Sequence, residues 1–114
     1  MNLQFDVHID EPVIVYALQG KITNEEDFAA LEAEVFHNLN QNYYRVVFDL
    51  AKLTHTNSTG IGFFMRTLTK ARIMTGELVL AGIDGNVRKI FEIAKLDEVY
   101  TLYPTTELAI KHFK

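Results

Sequence analysis

A chain of 114 residues fits one domain, since a single core organises about 100 to 150 residues, and 48% hydrophobic residues exclude intrinsic disorder. A formal charge of −4, with acids and bases interspersed, leaves no basic stripe for direct nucleic-acid binding. The absence of cysteine removes disulfides, thiolate chemistry and cysteine-based zinc sites, and no run approaches ~18 apolar residues, so a cytoplasmic chain with no membrane span is expected.

Leu3, Phe5, Val7 and Ile9 alternate with Gln4, Asp6, His8 and Asp10, the period of a strand with one wet face. Asp10, Glu11 and Pro12 turn the chain into Val13 to Leu18, an apolar run expected of a strand covered on both faces, so the two segments read as a hairpin. Gly20 is expected to break that strand. Thr23 and Glu26 have capping-box spacing, which predicts a helix from about Asn24 with Phe28, Leu31, Val35, Phe36 and Leu39 as its apolar stripe. Val46, Val47 and Phe48 predict a strand ending near Asp49 and Leu50, before a polar stretch from Lys52 to Thr59.

A second helix follows, with Ile61, Phe64, Met65, Leu68 and Ala71 expected inward, Phe63 and Met74 off that face, and Gly76 as a left-handed cap. Leu78 to Ala81 predicts a buried strand. Asp84, Gly85 and Asn86 lead to a short helix with Val87, Ile90, Phe91 and Ala94 on one face. Val99 to Leu102 predicts a last strand, and Pro104 and Thr105 introduce a closing helix with Leu108, Ala109 and Phe113 inward. The order β-β-α-β-α-β-α-β-α predicts an α/β fold over residues 1–114: a mostly parallel mixed sheet, antiparallel in its first hairpin, covered by about four helices.

The segment from Thr54 to Gly62 is the chemically unusual one, with hydroxyl and amide side chains and two glycines at a strand-to-helix junction. Ser58 or Asn57 would cap the helix, placing the Ser58 hydroxyl at the positive end of its dipole, where a phosphate is favoured. Gly60 and Gly62 would let a partner's backbone approach. Read locally, the same residues also fit ordinary capping and the relief of crowding beside a neighbouring strand.

From Val46 to Ile61 the sequence VVFDLAKLTHTNSTGI resembles the signature of the STAS family, the anti-sigma factor antagonists, where an apolar strand ending in Asp-Leu leads to an Asp-Ser-Ser/Thr-Gly-Leu/Ile-Gly helix start. Gly20-Lys21-Ile22-Thr23 is similar to the turn before the first helix of that family. Gly76 to Leu80 resembles its helix-to-strand return, and Val87 to Leu96 its third helix, so the resemblance covers nearly the whole chain. It implies a STAS-like fold and a phosphorylation-switched binding module rather than an enzyme. Ser58 would be the phosphorylated residue, with Thr59 as second choice.

The resemblance further implies an anti-sigma factor serine kinase as partner, bound when Ser58 is bare, and a serine phosphatase that restores it; ATP and Mg²⁺ belong to the kinase, and this chain carries no cofactor or metal. Asn57 stands where the family usually has Asp, which favours a rival reading as an adaptor in a signalling or transport complex without the phosphoswitch. The expected contact patch comprises Thr23, His55, Thr56, Asn57, Ser58, Thr59, Gly60, Ile61, Gly62, Phe63 and Arg66, rimmed by Ile83 to Asn86, on a monomer or weak dimer. A receiver-like domain with Asp49 as phosphoacceptor is the other rival, and it lacks the acidic pair expected after the first strand. His8, His37, His55 and His112 show no metal-ligand spacing and no nucleophile–base pairing, so no catalytic residue is assigned.

Overall fold

The alternating N-terminal segment forms strand β1 (Leu3–Asp10), turned through Glu11 and Pro12 into β2 (Val13–Ile22). These are followed by α1 (Glu25–Asn40), β3 (Arg45–Thr56), α2 (Ser58–Ile73), β4 (Glu77–Ala81), α3 (Gly85–Ile93), a 3₁₀ turn (Leu96–Glu98), β5 (Leu102–Tyr103) and α4 (Thr106–Lys111). The computed structural model describes residues 2–114. The five strands lie in the order β1-β2-β3-β4-β5; β1 and β2 are antiparallel and every later pair is parallel, the directions that the order of elements predicts.

The two-sided burial expected of the apolar runs comes from helices on both faces. Tyr16, Leu18, Val46, Phe48, Leu78 and Leu80 face one core with the inward stripes of α1, α2 and α3. Val13, Val15, Val47, Val79 and Ala81 alternate with them and meet Ala109 of α4, with Tyr103, Ile110 and Phe113 closing that smaller core. A relay of rings runs through the larger one: Phe28 to Phe63 to Phe64 to Phe91, with centroids 4.8 to 5.2 Å apart, and on to Tyr100 at 6.2 Å. Such pairs contribute about 0.5–1.5 kcal/mol beyond the area they bury.

Several boundaries differ from expectation for local reasons. Gly20 does not break β2: it adopts φ +108, a Cβ there would overlap the Asn2 carbonyl, and the strand runs on to Ile22 with a register shift against β3. The cap of α1 is shifted by one residue, with Asn24 and Asp27 forming the capping box in place of Thr23 and Glu26. Strand β3 continues past Asp49 and Leu50 to Thr56, because the lengthened β2 supplies it with partners as far as Ile22.

At the end of α2 the left-handed residue is Thr75 (φ 62), not Gly76. Thr75 N–H donates to Arg72 O and Gly76 N–H to Ala71 O, the two bonds of a Schellman ending. Gly76 is small for another reason, since a Cβ there would overlap Tyr44 O and stand 2.6 Å from Tyr44 Cβ. Val99 is exposed in the turn before β5, which is only two residues long. In α3 Val87 and Phe91 are buried, while Ile90 is half-buried and Ala94 exposed. In α4 Ala109 is the buried residue, Phe113 is half-buried and Leu108 faces outward.

Candidate functional site

Parallel pairing brings the ends of β2 and β3 out together, with Ile22 beside Thr56. The next residue on each strand, Thr23 and Asn57, therefore stands at the head of a helix. Asn57 is extended (φ −151) and caps α2: its Oδ1 accepts from Thr59 N–H at 3.1 Å and Gly60 N–H at 3.2 Å. Its Nδ2 donates to Thr23 O at 2.9 Å. Thr23 is held from the other side, donating its N–H (2.9 Å) and Oγ1–H (3.1 Å) to Asp27 Oδ2. The Thr23 N–H, followed by the other donors around it, holds the Asp27 carboxyl below the usual carboxylate range. One amide thus ties the start of α2 to the start of α1.

The departure at Asn57 acquires a structural reason, because the side chain acts as acceptor toward α2 and donor toward Thr23. Asp would keep the first role and lose the second. Asn57→Ala removes both and is expected to lower stability by about 1–2 kcal/mol, read as a shifted urea midpoint at unchanged slope.

Gly60 is buried against the same strand pair. A Cβ there would overlap Thr56 Oγ1, which donates to Ile22 O at 2.9 Å, and would lie 2.8 Å from that carbonyl. The glycine therefore serves close approach of α2 to β2 and β3, and the sequence expectation that it admits a partner's backbone is corrected. Gly62 differs, since a Cβ there would meet only Arg66 Nη1 at 3.5 Å. Gly60→Ala is expected to destabilise by about 1–3 kcal/mol through overpacking, whereas Gly62→Ala should be neutral or stabilise by up to about 1 kcal/mol through helix propensity. Paired thermal melts check both.

With Asn57 as the cap, Ser58 is the first residue of α2, and its side chain is exposed and outside the capping hydrogen bonds. Thr59 is exposed beside it. His55 is exposed too, its Nδ1 2.9 Å from Thr54 Oγ1, which itself donates to Gly20 O. Thr23, Thr56, Ile61 and Gly62 are half-buried. Arg66 lies one turn further along α2, half exposed; its Nε donates to Glu32 Oε2 at 2.9 Å and its guanidinium stands 5.4 Å from the centre of the Phe28 ring. These contacts hold its side chain down between α1 and α2.

Phe63 is the second correction to the expected patch. It is fully buried between Phe28 and Phe48, while Met65, expected inward, is exposed. The buried stripe of α2 is Gly60, Phe63, Phe64, Thr67, Leu68 and Ala71. Thr67 belongs to it because its hydroxyl reaches Phe63 O and Phe64 O within the helix and so carries no unmet hydrogen bond inside. Of the expected rim, Ile83 is buried, whereas Asp84, Gly85 and Asn86 are exposed and Asp84 Oδ1 accepts from Gly85 N–H.

Sequence reasoning missed Asp27 and Glu32, which orient Thr23 and Arg66. The Asn24 to Asp27 spacing is a legible signal for the first; the second depends on the packing of two helices and leaves none. Asp49 is half-buried inside β3 and accepts the Ala51 N–H at 3.0 Å, so the receiver reading would place its phosphoacceptor within a strand instead of at an open strand end.

The sequence profile described as STAS domain matches residues 4–109. A curated Bordetella bronchiseptica protein, the candidate anti-sigma factor antagonist BtrV, is 30% identical over 102 residues, spanning 90% of this chain and 87% of its own length. Among solved structures, the unphosphorylated form of the anti-sigma factor antagonist SpoIIAA superposes with a TM-score of 0.84 at 19% identity over 96% of both chains. The phosphorylated form of the Bacillus cell fate determinant SpoIIAA does so at 0.78 and 18% identity, over 97% of this chain and 100% of that one. At such identities these structures establish a shared fold, and the profile match with the Bordetella relative establishes more: the chain belongs to the STAS domain family.

Proposed function

We propose that this protein is an anti-sigma factor antagonist whose binding face is the Ser58 end of the domain, and that phosphorylation of Ser58 by a serine-kinase anti-sigma factor releases the partner. The observation that carries the reading is the position of Ser58: an exposed hydroxyl at the first residue of α2, at the family's motif serine, with the capping role taken by Asn57. The kinase can reach such a group without unfolding anything. A phosphate there adds about 1.5–2 negative charges at a helix N-terminus that tolerates them. The relative named for anti-sigma factor antagonism supports the partner class, and the solution of SpoIIAA in phosphorylated and unphosphorylated forms supports the switch.

The contact surface is then Ser58, Thr59 and His55 at its centre, with Thr23, Thr56, Ile61, Gly62 and Arg66 around them. Phe63 and Gly60 act from behind as packing. A cytoplasmic location and reversal by a serine phosphatase belong to the same proposal.

The adaptor reading without a phosphoswitch has one observation in its favour: Asn57 is engaged on both sides and offers no carboxylate to a kinase. Affinity capture from the native cell separates the two. Trypsin cuts after Lys52 and Arg66, so a single peptide, Leu53 to Arg66, reports the state of Ser58. Recovery of an anti-sigma factor kinase together with a phosphorylated form of that peptide is expected; recovery of partners without a kinase, and a peptide never phosphorylated, would establish the adaptor.

A further inference from the structure

The sheet has two borders, and they are not alike. At one, β5 is two residues long. At the other, β1 presents eight residues whose register against β2 is unbroken from Leu3↔Gly20 to Asp10↔Val13. Edge strands are normally blunted by shortness, proline, lysine, a bulge or a covering element. β1 carries two charged side chains, Asp6 and Asp10, but contains no proline and no lysine, shows no bulge against β2, and is the outermost strand of its sheet. Val7 and Ile9 are 40% and 45% exposed on its apolar side.

We propose that this edge pairs antiparallel with the same edge of a second copy, about a two-fold axis through Val7. The residue pattern singles out that register. With residue numbers summing to 14, Val7 faces Val7 and Phe5 faces Ile9 of the other copy on the apolar side, joining the exposed side chains to the half-buried Phe5. On the polar side Asp6 faces His8 and Gln4 faces Asp10, whose Oδ1 already accepts from Lys114 Nζ of its own chain at 2.7 Å, so every carboxylate of β1 meets a hydrogen-bond donor and none meets another carboxylate. The symmetry doubles each pair. A foreign strand could use the unpaired backbone but would not be matched by this self-complementary order.

The surface is small. One strand edge buries less than the roughly 800 Å² per partner of a standard interface, and two chains of charge −4 repel, so the dimer is weak, dissociating in the region of 0.1 mM, and tightens with salt. The edge holds none of the residues assigned to the Ser58 face, so Ser58→Glu should leave dimerisation unchanged.

Sedimentation of the full chain from about 10 μM to 1 mM, with thermal melts of each variant as the folding control, tests the proposal. Val7→Lys places two ammonium groups on the axis and is expected to weaken association more than about tenfold. His8→Asp sets a new carboxylate against Asp6 at both symmetry-related positions and should weaken it about tenfold, while the exchange Asp6→His with His8→Asp recreates the same pairs and should recover the parent value within about threefold. A chain that stays monomeric at 1 mM overturns self-pairing and leaves the edge to an extended segment of another protein. A dimer indifferent to Val7→Lys, or an exchange variant that fails to recover, overturns the two-fold at Val7.

Discussion

Ser58→Glu is expected to weaken binding to the partner anti-sigma factor by about 30- to 150-fold, a loss of roughly 2–3 kcal/mol, without destabilising the free protein. The two halves of this expectation have separate physical origins. In the free chain the new carboxylate sits in the first turn of α2, where the helix dipole favours it by about 0.3–1 kcal/mol, so the melting temperature should hold or rise slightly. In the complex the same carboxylate would be enclosed at the centre of the contact face, where Arg66 is already engaged by Glu32 and the Phe28 ring. Removing an unpaired charge from water costs far more than the helix end returns. Ser58→Ala keeps the face uncharged and should bind within a few-fold of the parent.

Calorimetric titration of both variants checks the prediction, with Thr59→Glu as the positional control. Equal affinities for the parent and Ser58→Glu would remove the switch from Ser58. A large loss at Thr59 with none at Ser58 would move the acceptor by one residue, since both hydroxyls are exposed.

The fold was largely legible because its signals are periodic and local. Alternation in Leu3 to Ile9, continuous apolar runs at Val13 and Leu78, and the stripe of Phe28, Leu31, Val35 and Leu39 all correspond to elements in place. The antiparallel first pair and the parallel later strands followed from element order alone, whereas the order of the strands across the sheet is read only from the structure. What escaped was non-local. Gly20 looks like a breaker until Asn2 and Leu3 are laid beside it, and only then does its positive φ become a way of keeping β2 in the sheet. Gly76 looks like a cap until Tyr44 occupies the space its side chain would need.

At the site the motif located Asn57 and Ser58 correctly at a helix start, but the phase of α2 was misjudged. Its inward stripe begins on a glycine and passes through Thr67, residues an apolar pattern does not count. That error placed Phe63 on the surface and Met65 in the core, and it changes which substitutions should affect binding.

Phe63→Ala is accordingly expected to act on stability, lowering it by about 3–5 kcal/mol and the melting temperature by roughly 10–25 °C. The ring lies 4.8 Å from Phe28 of α1, 6.0 Å from Phe48 of β3 and 5.2 Å from Phe64, so one truncation loosens the joint between α1, α2 and the central strand. Phe63 is fully buried between the two helices and the sheet, and its neighbours cannot close the vacancy without moving α1, whose start is tied to α2 through Asn57 and Thr23. Domains of this size are stable by only about 5–15 kcal/mol, so the variant should show a measurable unfolded fraction near 37 °C. Any loss of partner binding should scale with that fraction and disappear when the titration is repeated at low temperature, where the variant is folded. Met65→Ala, truncating an exposed side chain on the same helix, should change the melting temperature little. If instead Phe63→Ala melted like the parent while binding fell at every temperature, Phe63 would be a contact residue and the helical phase of α2 would have to turn by about 100°.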